Sequence, residues 1–415
     1  MKDRSVWRTV PLTEVFWFQE GPGVRTTQFR SSGIKLLNVS NILKSGQIDL
    51  TNTARYLDPD EINSRYRHFL IDAGDLVIAS SGVSFDTDGM LRTRGAFVAA
   101  KDLPLCMNTS TIRFKAIDGV SDLRYLRHWI DSQHFRRQIT RLVTGTAQQN
   151  FGPSHLKAIE IPLPPLPEQR RIAAILDHAD ALRAKRRAAI AKLDSLAQSI
   201  FLDMFGDPVA NPKGWPISRL GEVFSKTRAG TRCGPFGSSL KKEDYLESGI
   251  PVLGIDDVLP NLFIQRTTLF ISEQKYNQLR SFDVIQGDIL ISRAGTVGRL
   301  CVVDKPVGAS IIGTNLIRLS LDEGAICPEY FAALFTFFAH RFTGLRANAK
   351  ADAYSFMSTG VLKSLEIPVP DVSTQRLFVD QQRRIKESSV KLEQHYSRLT
   401  ELTQQLSIRA FQGTL

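Results

Sequence analysis

Residues 161–205 read IPLPPLPEQRRIAAILDHADALRAKRRAAIAKLDSLAQSIFLDMF, a proline-rich run followed by a long charged segment. Pro164, Pro165 and Pro167 keep the start of this stretch extended, because a residue before proline disfavours helical backbone angles. The remainder predicts a helix of about 38 residues, which is roughly 57 Å at 1.5 Å per residue. Since an isolated surface helix of that length is poorly supported, we expect a partner helix.

The partner is predicted by a repeat at the end of the chain. Ile367-Pro368 repeats Ile161-Pro162, and the same offset aligns Gln375-Arg376 with Gln169-Arg170. The match continues without a gap to Phe205 and Phe411. The offset between Ile161 and Ile367 is far longer than the repeat period of a solenoid, so it indicates a duplicated unit.

Both segments carry apolar residues at heptad spacing, which is typical of a coiled coil. The predicted a positions are Ile172, Ala179, Arg186, Leu193 and Ile200 in the first helix, and Phe378, Ile385, Leu392, Leu399 and Leu406 in the second. The predicted d positions are Ile175, Leu182, Ala189, Leu196 and Asp203, and then Gln381, Ser388, His395, Leu402 and Arg409. The repeat preserves the heptad phase, so the two helices are predicted to pair.

Weaker matches extend the duplication upstream. Residues 33–37 resemble 249–253, and residues 74–78 resemble 287–291. The pattern of short strands and helices indicates an α/β fold class: two globular α/β domains separated by two long helices that pair as an antiparallel coiled coil. The predicted segments are a first globular domain (1–160), the linker and central helix (161–205), a second globular domain (206–366), and the linker and C-terminal helix (367–415).

The composition favours a polyanionic partner. The chain has 415 residues, a formal net charge of +11 and 42% hydrophobic residues. Nucleic acid or an acidic protein fits this charge. The four cysteines are scattered without a CxxC pair, which predicts reduced thiols and a cytoplasmic protein. We expect no signal peptide and no membrane span.

The sequence shows no catalytic or metal motif. The phosphate-loop pattern GxxxxGK[ST], HExxH and GxSxG are all absent, and the seven histidines form no cluster at ligand spacing. We therefore predict no catalytic residue, no metal site and no cofactor. A protein that binds rather than catalyses is favoured.

Candidate DNA-binding residues lie mainly in glycine-rich basic loops after matching strands. Small residues allow close approach of the backbone, hydroxyl groups can hold phosphates, and arginine can pair with guanine. For a single such loop, a turn with solvated charges is an equally good interpretation. The candidates are Ser81, Phe85, Arg92, Arg94, Arg228, Arg232, Lys241, Lys242, Arg293, Thr296 and Arg299.

The arrangement resembles the specificity subunit of type I restriction–modification enzymes. The resemblance rests on residues 159–176, 145–150, 287–299 and 365–376. It implies a subunit without catalysis of its own, whose two target-recognition domains each read half of a split, asymmetric sequence in double-stranded DNA. It also implies that the helices form a spacer on which two adenine methyltransferase subunits dock, with two endonuclease/translocase subunits as further partners.

The resemblance assigns the docking role to the region around the linkers. The candidate docking residues are Gln148, Glu168, Gln169, Arg170, Gln375 and Arg376. The second copy departs from the first at residues 349–352 and 371–374, so the two docking sites are expected to be unequal. Two alternatives remain open: a coiled-coil scaffold that recruits enzymes without binding DNA, and an enzyme whose site carries no recognisable motif.

Overall fold

The structure is a computed structural model that describes residues 7–85, 89–143, 150–293, 298–342 and 358–415. The chain divides into two compact units. Unit 1 comprises residues 1–187 and 394–415, and unit 2 comprises residues 188–393. Each unit therefore contains one globular part and half of each long helix.

The globular part of unit 1 consists of short strands and short helices. Its strands are β1 (Thr9–Pro11), β2 (Phe16–Glu20), β3 (Ile34–Leu36), β4 (Tyr56–Leu57), β5 (Leu76–Ala79), β6 (Ser84–Phe85), β7 (Leu91–Arg92), β8 (Gly95–Phe97), β9 (Leu105–Cys106), β10 (Thr111–Ala116) and β11 (Glu160–Pro162). Its helices are α1 (Leu12–Val15), α2 (Pro59–Glu61), α3 (Leu123–Asp131), α4 (Gln133–Leu142) and α5 (Pro153–Lys157), and the long helix α6 (Leu166–Phe205) follows.

The globular part of unit 2 is also built of short strands and short helices. Its strands are β12 (Ile217–Arg219), β13 (Thr231–Cys233), β14 (Ile250–Leu253), β15 (Val258–Leu259), β16 (Leu262–Phe263), β17 (Phe270–Ile271), β18 (Ile289–Ser292), β19 (Leu300–Val302), β20 (Ile311–Ile312), β21 (Leu316–Leu319) and β22 (Glu366–Pro368). Its helices are α7 (Glu273–Gln278), α8 (Pro328–Phe342) and α9 (Thr359–Ser364), and the long helix α10 (Val372–Phe411) follows.

The sheets of the two units share one topology. A four-stranded sheet has the order β2-β10-β5-β8 in unit 1 and β13-β21-β18-β19 in unit 2. A three-stranded sheet has the order β4-β3-β9 in unit 1 and β17-β14-β20 in unit 2. In each unit the first strand pairs with the strand just before a long helix, as β1-β11 and β12-β22. The predicted α/β class with two repeated domains and long helices is confirmed.

Matching glycines show why the weak upstream repeat is structural. Gly33 and Gly249 have positive φ angles of 125° and 138°. A Cβ atom at these positions would lie 2.3 Å from the Leu57 carbonyl oxygen and 2.5 Å from the Ile271 carbonyl oxygen. Only glycine combines this backbone angle with such close approach to a neighbouring strand.

Within each unit, the halves of the long helices run antiparallel. In unit 1, the Arg171 side chain donates a hydrogen bond to the Leu415 carbonyl at 3.1 Å. Further along α6, Arg187 donates to the Tyr396 hydroxyl at 2.9 Å. In unit 2, Phe201 near the end of α6 packs against Phe378 near the start of α10, with 5.4 Å between ring centroids. The predicted antiparallel pairing is therefore observed in both units.

The predicted d positions are wrong for much of the pair. Leu182, Leu196 and Asp203 are exposed in α6, as are all five d positions of α10, and Arg186 is an exposed a position. The second contact stripe lies one residue later. It consists of Leu176, Arg183, Ile190, Ala197 and Met204 in α6 and Gln382, Ser389, Tyr396, Thr403 and Ala410 in α10, all buried or half-buried. Contacts in a heptad alternate between steps of three and four residues. The second stripe therefore lies four residues after each a position, whereas the prediction placed it three residues after.

Each unit has its own hydrophobic core, and the long helices complete it. In unit 1, Ile172, Ala173 and Leu176 of α6 and Ala410 and Phe411 of α10 pack with the globular part. In unit 2, Phe201, Phe205 and Phe378 do the same. No helix among the described residues is long and apolar enough to cross a membrane.

Candidate nucleic-acid interface

One end of the four-stranded sheet of unit 1 gathers three loops. The Gly21 N–H, just after β2, donates to the Thr111 carbonyl at 3.1 Å. The Ser80 N–H, just after β5, donates to the Ser110 carbonyl at 2.9 Å in the turn before β10. These hydrogen bonds place loops from distant parts of the sequence side by side. We call this end of the sheet, where the three loops meet, the loop end of the unit.

Unit 2 has the same loop end. The Gly234 N–H, just after β13, donates to the Leu316 carbonyl at 3.0 Å. The Arg293 N–H, just after β18, donates to the Asn315 carbonyl at 3.0 Å in the turn before β21. Arg293 thus occupies the position that Ser80 has in unit 1.

Four predicted residues of unit 1 lie in the connection between β5 and β8, at the loop end. Ser81 follows β5, and the Arg94 carbonyl accepts from the Ala79 N–H at 2.8 Å. Phe85 and Arg92 lie on the hairpin formed by β6 and β7, and Phe85 is 46% exposed. The Leu91 N–H donates to the Thr140 hydroxyl of α4 at 2.9 Å, which anchors the hairpin.

Arg92 also faces a polar cleft within unit 1. The cleft has a volume of about 310 Å³ and is lined by Arg92, Arg136 and Arg183 together with hydroxyl and amide side chains. It contains two aspartates, Asp131 and Asp180, and Asp180 pairs with Arg183 at 2.9 Å. The structure therefore brings arginines of the hairpin, α4 and α6 to one cleft of mixed charge.

Two predicted arginines of unit 2 lie at its loop end. Arg293 begins the connection after β18, and Arg299 ends it. The Ser292 N–H donates to the Arg299 carbonyl at 2.8 Å, and the Arg299 N–H donates to the Ser292 hydroxyl at 3.1 Å. This repeats the Ala79–Arg94 bond of unit 1, so Arg94 and Arg299 occupy equivalent positions. Lys241 and Lys242 are exposed on the segment that leads from β13.

Arg228 lies at the opposite end of the same sheet, where a buried ion-pair network engages it. Its guanidinium pairs with Asp283 and lies 3.1 Å from the Asp288 carboxylate. Burial raises the pKa of Asp288, while hydrogen bonds and neighbouring arginines act against that rise. Because the charge of Arg228 is neutralised inside the unit, we remove this residue from the proposed interface.

Arg232 belongs to the same neighbourhood as this network. Its guanidinium lies over the Phe282 ring, 5.1 Å from the centroid, and its Nε atom donates to the Ser281 carbonyl at 3.4 Å. The Ser281 carbonyl also accepts from Arg318, which is 1% exposed. Arg232 therefore packs beside the buried Arg318 in the middle of the sheet.

Thr296 and Gln148 lie outside the described residues. The other five predicted docking residues lie in the first linker and its repeat and differ in exposure: Arg170 and Arg376 are exposed, and Glu168 is half-buried. Gln169 and Gln375 are completely buried. Glu168 pairs with Arg171 at 2.7 Å, and this contact lowers the pKa of the Glu168 carboxyl.

The two buried glutamines form matching latches. The Gln169 side chain accepts from the Asp122 N–H at 3.0 Å and donates to the Val120 and Pro164 carbonyls, both at 2.9 Å. The Gln375 side chain accepts from the Cys327 N–H at 2.7 Å and donates to the Ala325 and Pro370 carbonyls at 3.2 and 2.7 Å. Each latch ties the start of a long helix to a globular part, which takes both glutamines out of the proposed docking surface.

Sequence reasoning missed a polar cluster at the loop end of unit 1. The Asn108 amide donates to the Asn38 side-chain oxygen at 3.0 Å, and the exposed Arg55 guanidinium reaches the same oxygen at 3.4 Å. The sequence did carry a signal for this turn, because Thr109 beside Asn108 and Thr314 in the second half precede the matching pairs Ile112-Arg113 and Ile317-Arg318. Among the described residues, no group of three potential metal ligands comes together.

The comparison with known proteins also finds two repeated parts in the chain. The family model for the type I restriction modification DNA specificity domain matches twice, over residues 5–192 and 212–404. The chain belongs to this family. The two matches each contain one four-stranded sheet with its loop end, so each unit carries a specificity domain.

Relatives and solved structures agree with the family. The chain is 26% identical over 194 residues to the type I restriction enzyme MjaVIII specificity subunit of Methanocaldococcus jannaschii, covering 47% of this chain and 44% of the relative. The chain thus spans less than half the length of that relative. The crystal structure of a type I restriction–modification S subunit from M. genitalium matches with a TM-score of 0.56 and 18% identity, covering 99% of this chain and 98% of that one.

A second solved structure, from a study of complex assembly and conformational transition of the type I R-M system, matches with a TM-score of 0.57. It is 20% identical and covers 99% of both chains. At this identity the likeness concerns the fold, and it extends over both specificity domains and both long helices of the chain.

Proposed function

We propose that this chain is the DNA-recognition subunit of a type I restriction–modification complex. The observation that carries the proposal is the specificity-domain match in both halves of the chain. Each unit reads one half of a split target in double-stranded DNA through its loop end. The subunit has no catalytic activity of its own and acts from the cytoplasm.

The chemistry of the loop ends supports this role. In unit 2, Arg293 and Arg299 flank one connection, and Arg94 takes the equivalent place in unit 1. Arginine can donate two hydrogen bonds to guanine in the major groove or pair with a phosphate. Serine, threonine and glycine beside them allow the backbone to approach the nucleic acid closely. Such contacts suit a chain with a net charge of +11.

The partners proposed are two adenine methyltransferase subunits and two endonuclease/translocase subunits. One of the matched solved structures comes from work on complex assembly of the type I R-M system, which supports a role in such a complex. Since both glutamines of the linker repeat are buried, the docking surface consists of exposed neighbours such as Arg170 and Arg376. Different residues around the two linkers make the two docking sites unequal.

Replacing Arg293 and Arg299 together with alanine should weaken DNA binding by tenfold or more. Each bidentate arginine contact to a base contributes about 1–3 kcal/mol, and 1.4 kcal/mol is a factor of ten. The measurement is fluorescence anisotropy of the reconstituted methyltransferase complex on its target DNA, repeated over a salt series. If both arginines contact phosphates instead, the slope of log K against log salt falls by roughly two.

The matched control is Lys226→Ala. Lys226 is an exposed cation at the opposite end of the same sheet, where it pairs with Asp322 at 3.2 Å. We expect its replacement to leave affinity nearly unchanged. Equal losses in both variants would show that only net charge matters and would remove the loop end from the interface. A wild-type complex without DNA affinity would instead favour the protein-scaffold alternative.

The long helices are proposed to set the gap between the two half-sites. Insertion of seven residues after Arg187 and another seven after Glu393, where both helices pass from one unit to the other, adds about 10.5 Å of helix. Since B-DNA rises about 3.4 Å per base pair, we expect the preferred gap to lengthen by about three base pairs. Sequencing of methylated sites measures the gap, and an unchanged gap would contradict the spacer role.

A further inference from the structure

Phe236 is the most exposed large apolar side chain among the described residues, at 68%. It lies in the glycine-rich loop that follows β13, between Pro235 and Gly237. Scattered exposed apolar residues are normal on a protein surface, so exposure alone implies nothing. The position of this ring, and the way its loop is fixed, set it apart.

The backbone before Phe236 is pinned to the neighbouring turn. Gly234 packs so closely against Gly313 that a Cβ atom would lie 1.9 Å from the Gly313 carbonyl oxygen. The Thr314 hydroxyl donates to the Pro235 carbonyl at 2.8 Å, and Pro235 itself is buried. Close packing and a hydrogen bond therefore fix Gly234 and Pro235, although the side chain of the next residue, Phe236, faces solvent.

The backbone after Phe236 is also defined. Gly237 has a positive φ angle of 62°, and the Ser239 N–H donates to the Phe236 carbonyl at 3.3 Å. Residues Gly237–Ser239 thus form one turn of 3-10 helix directly after the ring. Because the backbone on both sides of the ring is fixed, less backbone entropy is lost when a partner binds this loop.

The surroundings of the ring are polar and cationic. Thr314 binds the Pro235 carbonyl, and the next residue, Asn315, accepts a hydrogen bond from the Arg293 N–H. The same turn therefore contacts both the loop of the ring and Arg293. Lys241 and Lys242 follow on the same segment and are exposed. Arginine and lysine near an aromatic ring suit a nucleic acid, whose phosphates they neutralise, better than an apolar protein surface.

We propose that Phe236 inserts as a wedge between two base pairs of the half-site read by unit 2, which rests on the proposed function. An apolar side chain that enters a base step partly unstacks it and bends the duplex. The flanking cations hold the phosphates on either side of the opened step. Because some base steps unstack more easily than others, Phe236 contributes to specificity without a hydrogen bond to a base.

The test uses the full chain in complex with its methyltransferase subunits and target DNA that carries 2-aminopurine at successive positions of each half-site. Wild type is expected to raise 2-aminopurine fluorescence at one step of the half-site of unit 2. Phe236→Ala should abolish that signal and weaken binding about tenfold, in line with the stacking energy of one base. Phe236→Leu, which keeps an apolar wedge, should retain most of the signal.

The control is Ile285→Ala. Ile285 is 48% exposed and lies next to Asp288, at the opposite end of the same sheet from the ring. Its replacement should change neither fluorescence nor affinity. If Phe236→Ala binds DNA with unchanged affinity and an unchanged 2-aminopurine signal, the wedge is overturned, and weaker capture of the methyltransferase by that variant would assign the ring to a protein contact instead. A wild-type complex that does not bind DNA would contradict the proposed function itself.

Discussion

Replacement of Phe411 by alanine is expected to destabilise unit 1 by about 3–5 kcal/mol and to leave unit 2 folded. Phe411 is 4% exposed, and its ring packs on Tyr125 with 5.4 Å between centroids. Ala410 beside it is fully buried, and its carbonyl accepts from the Trp7 indole at 3.4 Å. The end of α10 is therefore part of the hydrophobic core of unit 1.

Hydrogen exchange resolved by peptide, combined with chemical denaturation, measures this effect in each unit separately. Phe205→Ala is the equivalent variant in unit 2, because Phe205 aligns with Phe411 in the repeat. Phe205 is 1% exposed and packs on Phe378 and Tyr330. This variant should loosen unit 2 alone. Leu402→Ala is the control, since Leu402 is 54% exposed on α10 and should change stability by less than about 0.5 kcal/mol. Faster exchange throughout the chain in Phe411→Ala would contradict the division into two cores.

Replacement of Gln169 or Gln375 by alanine should destabilise its unit by roughly 3 kcal/mol. Each change leaves one buried N–H and two carbonyls without their side-chain partner, and an unsatisfied buried polar group costs about 1–3 kcal/mol. Water entering the space of the lost amide reduces the total. Thermal unfolding with the two single variants and the double variant measures the effect, and the two losses should add because the latches lie in different units.

Arg170→Ala is the control for the latch. Arg170 neighbours Gln169 but its side chain is 65% exposed, and its nearest carboxylate, Asp122, is 3.8 Å away. It should leave stability nearly unchanged and weaken capture of the methyltransferase. The opposite pattern, in which Gln169→Ala stays stable and loses the partner while Arg170→Ala keeps it, would restore Gln169 to the docking surface.

The sequence predicted the helices well because their signal is local and repeated. The ungapped match of residues 161–205 to residues 367–411 identified both helices, and their pairing followed from the shared heptad phase. The second contact stripe was not predictable from apolar residues. Gln382, Ser389 and Thr403 are polar, whereas Leu402 is apolar and exposed. Packing against a nearby helix, rather than residue type, decides which of these side chains is covered.

The candidate interface was predictable in part. Ser81, Arg94, Arg293 and Arg299 reach the loop ends because they follow or precede repeated strands. Arg228 could not be judged in this way, since its partners Asp283 and Asp288 lie 55 or more residues later in the chain. Gln169 and Gln375 stand in the most repeated segment, and their repetition reflects a hydrogen-bonded latch as well as a family signature.

Recognition of a split DNA target by this chain is tested most directly by a genome-wide map of methylated adenines in cells with and without its gene, with the methyltransferase partner present in both. We expect methylation that depends on the gene and falls on one motif with two short specified blocks separated by a fixed gap. Methylation that persists without the gene, or a gene-dependent motif with a single continuous block, would contradict recognition of a split target by two units.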